Sequence, residues 1–417
     1  MHEIERGDLR APARVFDVDL GLRPGPGNDD TEIVDVDRFA TALCLVRRDG
    51  VAESVRFLDI GDESALSLAA LRDYLAESGT AGPTTPAVVS DDLSLTVVIC
   101  TRDRLDGLLA TLRSLAVQTD PAFEVLVVDN STDGDIASTY SDFEGLTIRF
   151  RHEPIAGLSR ARNRGLAEVD TEIIAWIDDD EVADPDWIAW LKRGFSMPGR
   201  PHAVAGVMLP AELETPAQVN FERYGGFNKG RGMAPEQLRA GTPSVLDPLY
   251  PLPGFGAGGN MAFKTKALRA VGGFDNRLGA GTKTQGGEET RALALILEAG
   301  AIVQHWPPAV TWHYHRRTDE ALEKQFFGYS AGLTAFYASM LTSSPAYVWR
   351  ILGFIPSGVR RILANSGSGK PGGPPPDFPV DLLRAGRRGL LKGPWLYLSE
   401  VRRQRTQQRQ LQAALAR

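Results

Sequence analysis

Between Leu95 and Asp180 the chain repeats one pattern: a short apolar run, a polar cluster at its end, and in most cases a stretch of helical periodicity behind it. Leu95-Thr96-Val97-Val98-Ile99-Cys100 is the first run, and Leu105, Leu108, Leu109, Leu112 and Leu115 follow at the spacing of one helix face. Phe123 to Asp129 and Thr147 to Phe150 read as the second and third strands, Ser159 to Glu168 as a helix, and Ile173 to Ile177 as the fourth strand. Strands that are apolar at consecutive positions need cover on both faces. The pattern therefore predicts an α/β fold: a mostly parallel sheet with helices on both faces.

In such a sheet, ligands bind beyond the carboxyl ends of the strands. Four polar clusters fall there: Thr101-Arg102-Asp103, Asp129-Asn130-Ser131, Arg151-His152 and Asp178-Asp179-Asp180. Three adjacent carboxylates repel one another unless a cation or water screens them. Hard divalent ions such as Mn2+ or Mg2+ prefer oxygen ligands, and a sugar-nucleotide diphosphate supplies several, so the cluster points to metal-assisted chemistry on such a donor. No glycine fingerprint of a dinucleotide site follows the first strand, which disfavours an NAD enzyme. Cys100-Thr101-Arg102-Asp103-Arg104-Leu105 is likewise not the basic, glycine-rich loop that a nucleotidyltransferase would want.

Two later segments carry chemistry. Gly286-Gly287-Glu288-Glu289 precedes a helix with Ala292, Leu295, Ile296 and Ala299 on one face, a place where the helix dipole alone already favours acids. Val310-Thr311-Trp312-His313-Tyr314-His315 reads as a strand with His313 and His315 on the same side, where a metal ligand and a packed histidine are both chemically reasonable.

Taken in order, these segments resemble a family 2 glycosyltransferase with the GT-A fold. Thr96 to Asp103 is similar to its opening strand and loop, Val127 to Asp133 to its second nucleotide-contact segment, Ala161-Arg162-Asn163-Arg164-Gly165 to its following helix, and Trp176 to Asp180 to its DXD segment. Gly258-Gly259-Asn260-Met261-Ala262-Phe263, Val271-Gly272-Gly273-Phe274-Asp275 and Gly287-Glu288-Glu289-Thr290 follow in the family's order. The resemblance implies donor contacts at Thr101, Arg102, Asp103, Asp129, Asn163, Asp178, Asp179, Gly259 and Asn260. It implies a metal on Asp180, with His313 preferred as a further ligand, and a general base at Glu289 or Glu288, where the family usually has Glu-Asp. It further implies an inverting transfer from a UDP-, dTDP- or GDP-sugar to a carbohydrate, lipid-linked or small-molecule hydroxyl. A non-catalytic nucleotide-sugar or glycan-binding protein on the same fold is the alternative. The glycine-rich stretch from Gly272 to Gly287 reads as a lid or as an ordinary loop.

The resemblance leaves both ends of the 417-residue chain uncovered. Residues 1–82 read as a small, separate α/β domain with strands at Arg14–Leu20, Phe39–Arg47 and Val55–Ile60 and a helix from Glu63 to Ala76. A turn-rich linker through Pro86 leads to a catalytic domain at 93–317. Residues 318–417 read as a helical, basic region interrupted by Gly367 to Pro376. The net charge of −7 argues against nucleic acid, yet from Arg316 onward basic residues exceed acidic ones by about ten. Leu390, Leu391, Trp395, Leu396, Tyr397 and Leu398 lie among Arg387, Arg388, Lys392, Arg402 and Arg403, which suits peripheral association with a membrane surface. Gly393-Pro394 predicts two short amphipathic pieces there. Phe326 to Trp349 is uncharged but interrupted by glycine, serine and proline, and reads as a buried or interfacial helix ending near Leu341. Cys44 and Cys100 read as buried thiols of a reducing compartment, and the charged start to the chain predicts a cytoplasmic protein.

Overall fold

The computed structural model describes residues 1–21, 33–61, 63–79, 92–132, 143, 145–229, 231–242, 245, 247–249, 258–365 and 374–415. The expected linker from Thr80 to Pro86, Asp133, and residues 367–373 of the expected insert lie outside them.

Nine strands form the central sheet. Along one path they run Glu181–Ala183, Val303–His313, Ala203–Pro210, Met261–Lys264, Ile173–Asp178, Leu95–Thr101, Glu124–Asp129 and Ile148–His152, and Glu236–Leu238 pairs with Val303–His313. The last four strands of the path are parallel, as the apolar runs predict. The other half is mixed: Met261–Lys264 enters antiparallel between two strands, while Ala203–Pro210 and Val303–His313 pair in parallel. The period-two rule explains how both faces are filled. Val97, Ile99, Val125, Val127, Ala175 and Ile177 pack on one side with Leu108, Leu112, Leu115, Trp187 and Leu191. Val98, Leu126, Val128, Ile174 and Trp176 pack on the other with Ala161, Leu166, Phe263, Phe274 and Ile296.

Pairing register aligns the functional strand ends. Thr101 pairs with Asp129 and Cys100 with Asp178, so three polar termini stand at one level. Trp176 opposite Met261 brings Gly259 and Asn260 alongside the same edge. The Glu181–Ala183 strand opposite Thr311–His313 sets His313 beside the aspartate run.

The N-terminal region is less separate than its sequence suggests. Its four-stranded sheet, ordered His2–Glu3, Val51–Asp59, Thr41–Arg48 and Ala13–Asp19, packs Leu45 and Ala52 against Val207, Leu209 and Val310 of the central sheet. Arg47, buried, reaches Asp184 at 2.5 Å. The helix begins later than expected, at Leu68 with Ser67 as cap, because Ala65–Ser67 is taken up in strand pairing with Ile33–Asp35.

At the other end, Asp319–Ser343 is a single helix, closed two residues beyond the expected point, and Trp349 belongs to the next helix, Ala346–Asn365. No helix among the described residues is long and apolar enough to cross a membrane. The two-piece expectation near Gly393-Pro394 is corrected, since one helix runs Val380–Leu415 with Pro394 inside it. Tertiary packing overrides the proline. A Cβ on Gly389 would sit 2.3 Å from the Phe327 carbonyl oxygen, and one on Gly393 would sit 2.2 Å from that of Ala331, so the two helices meet backbone to backbone.

Candidate active site

Three consecutive aspartates end the Ile173–Asp178 strand and its turn, and each meets a different environment. Asp179 is the most enclosed of the three. It accepts from the Thr101 hydroxyl at 2.8 Å and from Arg104 at 3.1 Å, and burial raises its pKa against those two partners. Asp180 Oδ2 accepts from Arg104 at 2.7 Å and pairs with Arg316 at 3.3 Å, while its Oδ1 faces His313 Nε2 at 3.6 Å. Burial opposes ionisation of Asp180, yet His313, Arg316 and Arg104 hold its carboxyl below the ordinary range. Burial also pushes His313 down to about 3, so the ring is neutral and the two guanidiniums carry that effect.

Asp178 turns toward Arg162. Its Oδ1 lies 3.4 Å from Arg162 Nη2, and the same nitrogen donates to the Gly258 carbonyl at 3.1 Å. Desolvation, opposed by Arg162 and reinforced by the other two aspartates, pushes Asp178 up to about 6. Arg162 Nη1 donates to Glu288 at 2.9 Å. One guanidinium, 1% exposed, therefore ties the strand end to the acidic helix Glu288–Glu298. Arg162 was absent from the sequence-derived site. Its signal was present: Ser159, Arg162 and Leu166 share one face of the Leu158–Glu168 helix, an arginine where an apolar residue would be expected.

The helix 288–298 separates its two acids. Glu288 is buried, and desolvation plus the charge of Glu289 push it up to about 8. Glu289 is half-buried. Glu181, next along the chain from the aspartates, is 1% exposed with neither carboxylate oxygen hydrogen-bonded, and burial and the nearby Asp178 raise its pKa well above the usual range. A Cβ at Gly259 would stand 1.6 Å from Glu181 and 2.9 Å from Asp178, so glycine is required there for the carboxylates to fit.

At the mouth, Arg102 and Asp103 are exposed and 3.6 Å apart, with Asp103 at φ +56. Asp129 is buried, accepts from the Ser131 backbone at 2.8 Å, and leaves Oδ2 without a partner. Gly107 lets the Leu105–Ala116 helix approach this turn, since a Cβ there would lie 2.2 Å from the Asp179 carbonyl oxygen.

Asn260 and Asn163, both expected as donor contacts, also bond to the protein's own backbone. Asn260 is 0% exposed; it donates to the carbonyls of Val207 and Ala309, both at 2.9 Å, and accepts from Trp187 at 3.0 Å. Those carbonyls flank a bulge between Ala203–Pro210 and Val303–His313, so Asn260 supplies bonds that an irregular ladder lacks. Asn163 binds the Phe274 backbone at both its N–H and its carbonyl, and donates to Asn276 as well. It pins the Gly272 to Gly287 stretch, which Ser159 also holds through the Leu278 carbonyl and Tyr397 through Asp275.

Among the described residues no three His, Cys, Asp or Glu side chains gather to hold a metal by themselves. The Asp180 and His313 pair nevertheless fits one. A carboxylate oxygen and a neutral imidazole nitrogen face each other at a distance too long for a hydrogen bond, and a bound diphosphate would complete the ligand set.

The topology and the acidic edge together define an α/β domain of the GT-A kind. Residues 96–272 match the family described as glycosyl transferase family 2. The pre-mycofactocin glycosyltransferase of Mycobacterium tuberculosis is 28% identical over 315 residues, 73% of this chain and 61% of the relative. The glucosyl-dolichyl phosphate glucuronosyltransferase of Haloferax volcanii is 26% identical over 196 residues, 45% of this chain and 58% of the relative. The chain thus spans about three fifths of the length of these relatives. Among solved structures, a mannosyltransferase from Pyrobaculum calidifontis in complex with GDP-Man and Mn2+ is similar over 75% of each chain, with 18% identity and a TM-score of 0.44.

Proposed function

We propose that the chain transfers a sugar from a nucleoside-diphosphate donor to an acceptor hydroxyl with inversion at the anomeric carbon. The observation that carries the reading is the joining of the aspartate strand end to the Glu288–Glu298 helix through Arg162. It sets a donor-binding edge beside a half-exposed carboxylate. In this reading Thr101, Arg102, Asp103, Asp129, Asp178 and Asp179 line the nucleotide side. Glu289 is the base, because Glu288 is committed to the buried pair with Arg162. Glu289 takes the proton of the acceptor hydroxyl as its oxygen bonds to the anomeric carbon. The bond to the diphosphate breaks, and its electron pair leaves on the phosphate oxygen. Asp180 and His313 would hold a divalent ion, Mn2+ or Mg2+, which supplies neutralisation of the diphosphate. The relatives' names, one with pre-mycofactocin and one with glucosyl-dolichyl phosphate, support a small-molecule or lipid-linked acceptor.

The test is turnover with UDP-, dTDP- and GDP-sugars and Mn2+. Glu289→Gln should lower kcat by about 10²–10⁴-fold while donor affinity stays near wild type. Turnover unaffected by both EDTA and Asp180→Ala removes the metal from the reading. Donor binding without turnover under every condition favours the non-catalytic alternative.

The C-terminal helices support contact with an anionic membrane surface. Leu391 and Trp395, 79% and 70% exposed, lie one turn apart on Val380–Leu415, beside Arg387, Arg388 and Lys392. Sedimentation with anionic liposomes should fall with added salt and with Leu391→Ser/Trp395→Ser. Wild-type binding by that double variant removes this contact.

A further inference from the structure

His313 heads a buried chain whose other members, His315 and Glu222, have no part in the transfer as proposed. Its Nδ1 lies 2.8 Å from His315 Nδ1, and His315 Nε2 lies 3.0 Å from Glu222 Oε1. All three residues are buried. Phe227 stands edge-on to both imidazoles, and Phe221 to His315. Glu222 is delivered by the Pro216–Arg223 helix, which opens with a capping box of Thr215 and Gln218. The turn behind it is shaped around the carboxylate: Gly226 sits at φ +57, and a Cβ there would lie 2.4 Å from Glu222 Oε1. Helix, turn and rings converge on one arrangement.

The protons follow from the distances. A carboxylate at Glu222 accepts from His315 Nε2–H, which leaves a neutral His315 with a bare Nδ1. That nitrogen can only accept, so His313 donates to it from Nδ1 and its own Nε2 is bare. The reverse assignment puts a proton on His313 Nε2 and needs Asp180 as its acceptor. At 3.6 Å that hydrogen bond is not made.

We propose that Glu222 and His315 are positioning residues that lock His313 as the Nδ1–H tautomer, so that its Nε2 lone pair and Asp180 Oδ1 face a divalent cation together. The inference rests on the metal reading above and adds the device that prepares the ligand before the ion arrives. Partners that orient metal-bound histidines commonly contribute about 10–100-fold to affinity.

The experiment uses the full chain without metal, then with Mn2+. Nitrogen-15 labelling of the six histidines reports which ring nitrogens carry protons, and His313→Asn assigns the His313 signals by difference. Wild type should show His313 protonated at Nδ1 alone. Glu222→Gln, close in shape, lets the amide donate to His315 Nε2 and releases the lock. It should give a mixed or reversed tautomer and Mn2+ binding at least about 10-fold weaker by calorimetry, with the thermal midpoint close to wild type. Glu222→Asp, which keeps the carboxylate, should recover much of the affinity. His313 protonated at Nε2 in wild type, or Glu222→Gln with unchanged tautomer and Mn2+ affinity, overturns the lock. Wild-type Mn2+ affinity in Asp180→Ala, with the nitrogen-15 pattern intact, overturns it from the other side, by failure of the metal reading.

Discussion

Asp178 and Asp180 are two residues apart, yet they belong to opposite electrostatic regions. The inner region gathers Asp178, Glu181 and Glu288 around the single buried guanidinium of Arg162, and its carboxyls are pushed upward by desolvation. The outer region offers Asp180 two guanidiniums, from Arg104 and Arg316, and its carboxyl is held low. The contrast teaches that a run of like residues need not act as one ligand set. The strand ends at Asp178 and the turn that follows carries Asp180 into other surroundings, and the count of nearby cations then decides which carboxylates stay charged.

The sharpest way to break this contrast is to remove each region's arginine. Arg162→Met should lower unfolding free energy by about 3–5 kcal/mol, because it strands buried carboxylates without a countercharge. Denaturant titration checks it, and a loss below about 1 kcal/mol would show that the inner acids need no partner. The next effect is in pH. Glu288 holds its proton more tightly folded than unfolded, so wild-type stability should fall as pH rises from about 4.5 through about 8. Asp178, pushed up to about 6, adds to the lower part of that fall. Glu288→Gln should flatten the profile, read as thermal midpoint against pH, whereas parallel profiles would place the proton elsewhere. The smallest change is expected outside. Arg104 is 44% exposed, and Arg104→Ala should alter stability by less than about 1 kcal/mol. A larger loss would mean that the outer region is built like the inner one.

Much of the parallel half was legible because the strands are short, apolar and punctuated, and each cluster follows directly in sequence. Glu288, Asp178, Asp180 and His313 stand out in the sequence as ionisable groups, although the pairings of Asp180 with His313 and of Asp178 with Glu288 through Arg162 do not. They depend on the register of Glu181–Ala183 against Thr311–His313 and on Arg162 reaching 126 residues along the chain. The backbone bonds of Asn163 and Asn260 were hidden for a general reason. A motif gives the residue type, and whether its amide is already bonded is a property of distant backbone, here the Phe274 turn and the bulge at Ala309. The continuity of the helix through Pro394 was hidden in the same way, since the contacts that override the proline come from the Asp319–Ser343 helix.

The glycines around the acidic helix have a consequence for anyone wishing to vary this part of the chain. A Cβ on Gly287 would meet the Gly332 carbonyl oxygen at 2.4 Å, and one on Gly332 would meet the Gly286 backbone at 2.6 Å, so the loop carrying Glu288 and Glu289 rests on its neighbour with no side chain between them. Such a seam has no slack to repack. Side chains introduced at Gly286, Gly287 or Gly332 would displace Glu288 and Glu289. Tyr329, one turn away and 44% exposed, lies outside that seam, against the Phe221 and Phe227 rings.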